Sequence, residues 1–487
     1  MNFCEIKGMI LFEFYEIFNV IISLALIFVL IIGNSIDLAI SLKKIAQYKN
    51  KEHQVVSLVF LRIAPMFIAC LSFFDMYAKI SIFFICICPI VIILFIKIKI
   101  HRLSIPLLAS ELVKKQKGKI YLGRIKSNIL SRKFYLPDCD LKRHIFITGL
   151  TGMGKSNLVK LLLQQICQKY PSVPFLLVEF KGEYQEISAN FRDVMVYRPG
   201  ETLKINIFNP MGEDPKLHAE KLLNMLASCQ ILTFQEEFSS QMEKIFMDIL
   251  YAVCTDENKR NWDGFDYYIQ RYRETNQNRY YNLNNTICSI ENRIRRLKTG
   301  PLRSIFDEEL NLHPTDLIGN NAIIDLSSII HKGGTKNDAV FFSNVLFNQI
   351  WLYNLEHGPS SEIKHFTLIE DSQFFLSQKT SNKLTSTSYL EDFALLLRGT
   401  GECLVTINTR PTISEDVMAN AGVLISFQLN YDKNVMGKLL GLPDEKCHYL
   451  TKLDIGECII KTNSIPAPFM IRVPLIKPFK KPVFCSH

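Results

Sequence analysis

The chain has no C-x-x-C pair, no cysteine grouped with histidines at metal-ligand spacing, no internal repeat and no low-complexity tract. Its thirteen cysteines therefore spell neither a zinc site nor a disulfide-exchange motif; they fit reduced, mostly buried thiols of a cytosolic domain and a membrane anchor. Cys86 and Cys88 fall within an apolar run, where packing is the simpler role and redox chemistry or lipidation the alternative. Without a period there is no solenoid or propeller. A cleaved secretion leader is not expected either: the first sixteen residues carry Glu5, Glu13 and Glu16 against Lys7, and no small-residue cleavage site comes after the first apolar run. Zinc fingers, aromatic-basic RNA motifs and base-reading helices are missing too, so contact with nucleic acid is expected to be with its phosphates rather than its bases.

What is there is apolar, and unevenly spread. With 487 residues the chain exceeds one ordinary domain, and 48% of it is hydrophobic although 21% is charged. The mean hydropathy of +0.12 is concentrated in residues 17–36, 55–74 and 80–96, which read as three membrane-spanning helices within an anchor of residues 1–103. Lys43, Lys44, Lys49 and Lys51 come after the first run, and Lys97, Lys99, Arg102, Lys114, Lys115, Lys117 and Lys119 after the third. Both basic segments belong on the cytoplasmic side, so the second and third runs form a hairpin turning at residues 75–79, with the N-terminus outside. Arg62 and Pro65 interrupt the second run and the third has only 17 residues, which keeps open a two-span arrangement with one run lying on the membrane. In both arrangements the rest of the chain is cytosolic: a basic linker with lead-in strands at 104–143, then a domain at 144–487.

That domain opens with "HIFITGLTGMGKSN". Gly149, four residues (Leu150, Thr151, Gly152 and Met153), then Gly154, Lys155 and Ser156 make a phosphate loop between an apolar strand, residues 144–148, and an amphipathic helix, with Asn157 extending the nucleotide-contacting set. Glycines let the backbone N–H groups and the helix N-terminus converge on phosphate oxygens; Lys155 reaches the β- and γ-phosphates and the Ser156 hydroxyl ligates Mg²⁺. The expected ligands are thus ATP and Mg²⁺.

Further strands are expected at 175–180, 193–197, 322–327, 366–369, 403–407 and 423–429, separated by helices such as 338–356. Residues 211–312 differ, with apolar residues at three and four spacing among many charges, and read as an all-helical insertion. Repeated β-α units predict an α/β domain with a mostly parallel sheet covered on both faces. The strand "FTLI" delivers Glu370 and Asp371 to its carboxyl end, where ligands bind in such sheets. Glu370 is expected to hold the Mg²⁺ shell and Asp371 to orient the attacking water.

Taken together, "HIFITGLTGMGKSN", "LLVEFKGEY", "TLIEDSQFF", "RGTGECLVTINTRPTISEDVMANA" and "LISFQLNYDKNVMGKLL" resemble the FtsK–HerA superfamily of hexameric pumping ATPases, nearest to the HerA type and to conjugative coupling proteins. The resemblance covers residues 119–475 and implies a RecA-like P-loop motor, a homo-hexameric ring with nucleotide between subunits, and DNA as the threaded substrate. It matches Gly149, Gly154, Lys155 and Ser156 to the phosphate loop and Glu370 with Asp371 to the acidic pair. Arg398 stands where these families carry an arginine before a strand, as an arginine finger or a surface arginine at a helix end. Arg410 is retained in the late T-Q-R-P element, here Asn408-Thr409-Arg410-Pro411, so the usual glutamine is replaced by Thr409 unless Asn408 substitutes. Glu179 sits where an acid is common, beside the active site or simply at a strand end. Asp371 replaces a usual glutamate and is one methylene shorter, which puts fast hydrolysis in question because catalytic geometry is sensitive to displacements of about 1 Å.

The formal charge of +9 suits a polyanionic partner, yet residues 97–133 alone hold eleven Lys or Arg against one acid. Topology and anionic lipid headgroups explain that run most simply, with DNA contact as the alternative. Arg293, Arg295, Arg296 and Lys298 form a second basic cluster, read as a solvated helix face rather than a groove reader. Only about forty residues separate membrane from motor, leaving little room for the β-barrel of soluble HerA-type helicases. The expected function is a multi-pass inner-membrane ATPase translocating DNA in conjugative or mobile-element transfer, with a transfer channel or relaxase-type protein as partner. A protein-export motor and a nucleotide-gated membrane scaffold or defence component are the alternatives.

Overall fold

A computed structural model describes residues 118–125, 132–191, 193–232, 238–306, 314–375, 397–411, 415–465 and 467–476. The three apolar runs and residues 104–117 and 126–131 of the basic linker lie outside these. Among the described residues no helix is long and apolar enough to cross a membrane.

Among the described residues eleven strands form one sheet. In chain order they are β1 (Gly118–Ile125), β2 (Arg132–Pro137), β3 (His144–Thr148), β4 (Phe175–Glu179), β5 (Val194–Tyr197), β6 (Asn321–Asp325), β7 (His365–Ile369), β8 (Glu402–Asn408), β9 (Ala421–Ser426), β10 (Glu457–Thr462) and β11 (Phe469–Arg472). Across the sheet the order is β2-β1-β11-β10-β9-β3-β8-β7-β4-β6-β5. From β9 to β5 every neighbouring pair is parallel. Every residue of β3, β4, β7 and β8 is buried, as expected of parallel strands covered on both faces, and this is why they are mostly apolar without a polar face alternating along them.

The sheet is mostly parallel, as expected, with an antiparallel flank at one side that was not. β10 pairs antiparallel with β9 and β11, and β1 pairs antiparallel with β11 and β2. Antiparallel neighbours need only a short connection, and with β2 starting at Arg132 after Ile125 and β11 at Phe469 after Thr462 neither pair leaves a β-α signature in the sequence. The strands expected ahead of residue 144 are hydrogen-bonded members of this same sheet.

The helix α1 (Lys155–Lys169) buries Leu158, Val159, Leu162, Leu163 and Ile166 in a core shared with Ile145, Ile147, Leu368, Val405 and Ile425 of the parallel strands. Between β5 and β6 lie α2 (Pro215–Ser228), α3 (Ser240–Thr255), α4 (Trp262–Asn276) and α5 (Leu283–Lys298). Asp214, Ser239 and Asn261 cap the first three by accepting from backbone N–H groups of the first turn. Their core is aromatic: Phe208 meets Trp262 edge-on at 4.9 Å, Phe265 lies 6.0 Å from Phe246, and Trp262 Nε1 donates to the Phe306 carbonyl at 2.8 Å. Three of the four basic residues of the α5 cluster make such contacts, while Arg295 is exposed. Arg293 is buried and donates to the Leu232 carbonyl at 2.8 Å, Arg296 lies 2.7 Å from the Asp338 carboxylate, and Lys298 bonds Asp266. The long helix α6 (Lys336–His357) starts from a capping box between Thr335 and Asp338.

Candidate nucleotide site

The phosphate loop leaves β3 and enters α1, and its shape requires its glycines. Gly149 has φ 149°, and a Cβ there would stand 2.5 Å from Cβ of Phe427; Gly154, the N-cap of α1, has φ 110°. Neighbouring strand ends pin the loop. Gly149 N donates to Asn408 O at 3.2 Å, Leu150 N to Gln428 O at 2.8 Å, and the Met153 carbonyl accepts from Gly456 N at 3.0 Å. Lys155 Nζ donates back to the carbonyls of Gly149 and Leu150, at 2.6 and 3.0 Å. Burial holds its pKa below the usual lysine value, with the Asp371 carboxylate pulling the other way.

Beside the loop opens a cleft of ≈ 340 Å³ lined by Thr151, Gly152, Gly154, Lys155, Ser156, Asn157, Lys181, Glu183, Glu370, Asp371, Ile407 and Thr409. Glu370 leaves β7 with its backbone N–H on the Val178 carbonyl at 3.0 Å. Its carboxylate is buried; Oε1 accepts from Ser156 Oγ at 3.4 Å and from the Tyr184 hydroxyl, while Oε2 has no hydrogen-bond partner among the described residues. Burial pushes the Glu370 pKa up. Burial and the Glu370 charge push that of Tyr184 well above its usual value, so the phenol remains a donor. A hydroxyl beside a carboxylate with one unsatisfied buried oxygen is a hard, oxygen-only donor set, and it fits Mg²⁺.

Asp371 takes the left-handed backbone, φ 48°, that a non-glycine residue rarely adopts. Its Oδ2 lies 3.1 Å from Lys181 Nζ, and its Oδ1 accepts from Gln373 Nε2 at 3.1 Å. Glu179 stands one step behind the cleft: 1% exposed, its Oε2 accepts from the N–H groups of Lys181 and Gly182 at 2.6 and 2.8 Å. Burial pushes its pKa up to about 7.

The late element divides. Asn408 is buried beneath the loop, accepting from Ser372 Oγ at 2.7 Å, and its Nδ2 has no partner among the described residues. Thr409 lines the cleft, and its N–H donates to Gln373 Oε1 at 3.4 Å. Arg410 does not line it; the side chain is 59% exposed, 3.6 Å from Asp432 Oδ2 and over the Tyr431 ring. Arg398 belongs to the 3₁₀ turn Leu397–Thr400 before β8, and its side chain lies outside the described residues. Sequence reasoning passed over Lys181, Tyr184 and Gln373. Their only signal was their place, within five residues of the carboxyl ends of β4 and β7, where an α/β sheet gathers its ligand-binding groups.

Residues 120–334 match the family model described as the central domain of the helicase HerA. Over 350 residues the chain is 23% identical to the probable helicase MJ1565 of Methanocaldococcus jannaschii, covering 68% of this chain and 62% of that protein. It is 24% identical over 345 residues to the DNA double-strand break repair helicase HerA of Sulfurisphaera tokodaii, covering 68% and 65%. The match thus spans less than two thirds of the length of either relative. Among solved structures, VirB4 of Thermoanaerobacter pseudethanolicus superposes with a TM-score of 0.56 at 12% identity, covering 75% of this chain and 98% of that one. The plasmid coupling protein TrwB in complex with ADP and Mg²⁺ gives 0.54 at 12% identity, covering 77% and 94%. These likenesses show the fold, that of RecA-like P-loop ATPases. With a family model over residues 120–334, two helicase relatives over 68% of its length and the phosphate loop set against Glu370, the chain is a P-loop ATPase similar to the HerA–FtsK class.

Proposed function

We propose that the chain is a membrane-anchored, ATP-hydrolysing motor that translocates DNA, acting as the coupling protein of a conjugative or mobile-element transfer system. One observation carries the enzymatic part: Lys155, Ser156, Glu370 and Asp371, from two distant stretches of sequence, line a single cleft at the carboxyl ends of β3 and β7. Residues 149–157 hold the phosphates, with Lys155 exchanging its loop carbonyls for phosphate oxygens. Ser156 and Glu370 are the residues that hold Mg²⁺, and Tyr184 keeps the Glu370 carboxylate facing Ser156. A metal held there would supply positive charge against the β- and γ-phosphates. Asp371 orients the attacking water. Arg410, exposed beside the cleft, is the arginine available to a neighbouring copy, with Arg398 the other candidate from sequence, and a ring would be the working form. DNA as cargo is supported by the helicase and coupling-protein names of the relatives. Residues 1–103 serve as the anchor and residues 211–312 as the helical insertion of the motor.

A specific observation favours a second reading. Both oxygens of Asp371 are engaged, by Lys181 and by Gln373, which suits a nucleotide-gated scaffold with little turnover. Steady-state ATPase activity of the detergent-solubilised full chain separates the two. A DNA motor shows hydrolysis stimulated by DNA, a stimulation that fades as salt rises because the grip is on phosphates, and Lys155→Ala abolishes it. Nucleotide binding without hydrolysis, alongside nucleotide-dependent assembly, selects the scaffold. Activity indifferent to DNA but raised by an exported polypeptide selects a protein-export motor.

A further inference from the structure

We propose that Lys181 is a second phosphate-binding cation of this cleft, parked on Asp371 until the terminal phosphate of a nucleoside triphosphate draws it away. The inference rests on the nucleotide-site reading and adds a residue to it.

Lys181 lines the cleft with its side chain 45% exposed, and its Nζ stands 3.1 Å from Asp371 Oδ2. Its backbone is fixed. The buried Glu179 carboxylate accepts from the N–H groups of Lys181 and Gly182, and the preceding ring, Phe180, packs 5.6 and 5.7 Å from Phe374 and Phe375, on the turn just past Asp371. The loop after β4 and the turn after β7 are therefore joined, and the part left free to move is the four-carbon stem of Lys181. A flexible stem ending in a compact ammonium suits a charge that exchanges partners.

Two cations, Lys155 and Lys181, face three acids, Glu183, Glu370 and Asp371, across the cleft. Lys155 is already capped by two carbonyls inside the loop. Lys181 is held by a single carboxylate whose other oxygen is occupied by Gln373. A terminal phosphate carries more negative charge than one carboxylate, so the ammonium gains by moving to it. The move also uncovers Asp371 Oδ2, the oxygen that must face the attacking water. While no terminal phosphate is present the ion pair keeps the acid covered, which links activation of water to the presence of the bond to be cleaved.

The test compares a non-hydrolysable ATP analogue with ADP, both with Mg²⁺, by calorimetric titration of the full-length chain in detergent. Lys181→Met is expected to weaken the analogue about tenfold and leave ADP within about twofold, since only the analogue carries the phosphate that Lys181 meets. Lys181→Arg is expected to restore most of the loss. Asp371→Asn, which releases the lysine, is expected to tighten the analogue severalfold with Lys181 present and not at all in the Lys181→Met background. Equal weakening of both nucleotides, or no change in either, overturns the inference while leaving the nucleotide site intact. A wild-type chain that binds neither nucleotide overturns both.

Discussion

Glu179 is an ionisable side chain buried at the end of a parallel strand, and its place in the chain of contacts is to hold the backbone that carries Lys181. Burial raises its pKa from 4.5 to about 7, so between those values the folded protein keeps a proton that the unfolded chain has released. Stability contributed by this site therefore falls as pH rises through that window and stays low above it. Glu179→Gln removes the ionisation while keeping an acceptor, and is expected to melt higher than the wild type at pH 8, by up to about 3 kcal/mol, with the gap shrinking towards pH 5. Melting curves at the two pH values check this; a constant gap would mean that Glu179 does not titrate in the window. Residue by residue, the sequence shows phosphate-loop chemistry because that chemistry is local: spacing alone brings Gly149, Gly154, Lys155 and Ser156 together. Lys181, Tyr184 and Gln373 were not legible, since their significance depends on β4 lying beside β7, a pairing between stretches far apart in sequence. The glutamine missing at position 409 shows the same limit, because the amide that meets Thr409 comes from Gln373, on another strand's turn.

At the scale of elements, the chain after β11 is tied to the start of α1. Asn157 Nδ2 donates to Pro474 O at 2.9 Å, and Asn157 Oδ1 accepts from Ile476 N at 3.0 Å, so one side chain holds the tail as a neighbouring strand would. Asn157→Ala removes both bonds, at an expected cost of about 1–2 kcal/mol. Hydrogen exchange should accelerate at the Ile476 amide while β3 and β8 keep their protection. Unchanged exchange at Ile476 would show that the tail is held by other contacts. The parallel strands were readable to within a few residues because each is short and centred on apolar residues. Where an end was misplaced, a local bond decided it: the strand expected to reach residue 327 stops at Asp325, whose carboxylate accepts from the Ser327 N–H at 3.0 Å and turns the chain into a helix. The antiparallel flank gave weaker signals. β1 contains two glycines and two register shifts against β2, and β11 has four residues, so neither shows a sustained alternation.

For the whole molecule, charge and hydropathy pull in different directions, and the structure narrows what part of the charge is for. Arg293, Arg296 and Lys298, which from sequence could have faced solvent or a nucleic acid, are committed to Leu232, Asp338 and Asp266. The basic excess left over is concentrated in residues 97–133, directly after the third apolar run. A basic run in that position matches a cytoplasmic boundary with anionic lipid, and it pairs with Lys43, Lys44, Lys49 and Lys51 to place both segments on one side of a bilayer. The anchored reading predicts that the full-length chain stays with membranes through an alkaline carbonate wash. Protease added to intact cells should spare the domain at 118–476 and digest it once the cells are permeabilised. Replacing the four lysines between the first and second runs with glutamine should produce a fraction of chains in which the domain becomes accessible from outside, because the orientation bias rests on them. Release into the carbonate supernatant would remove the anchor from the proposal and leave a soluble P-loop ATPase, whose basic linker would then have to be explained by nucleic acid.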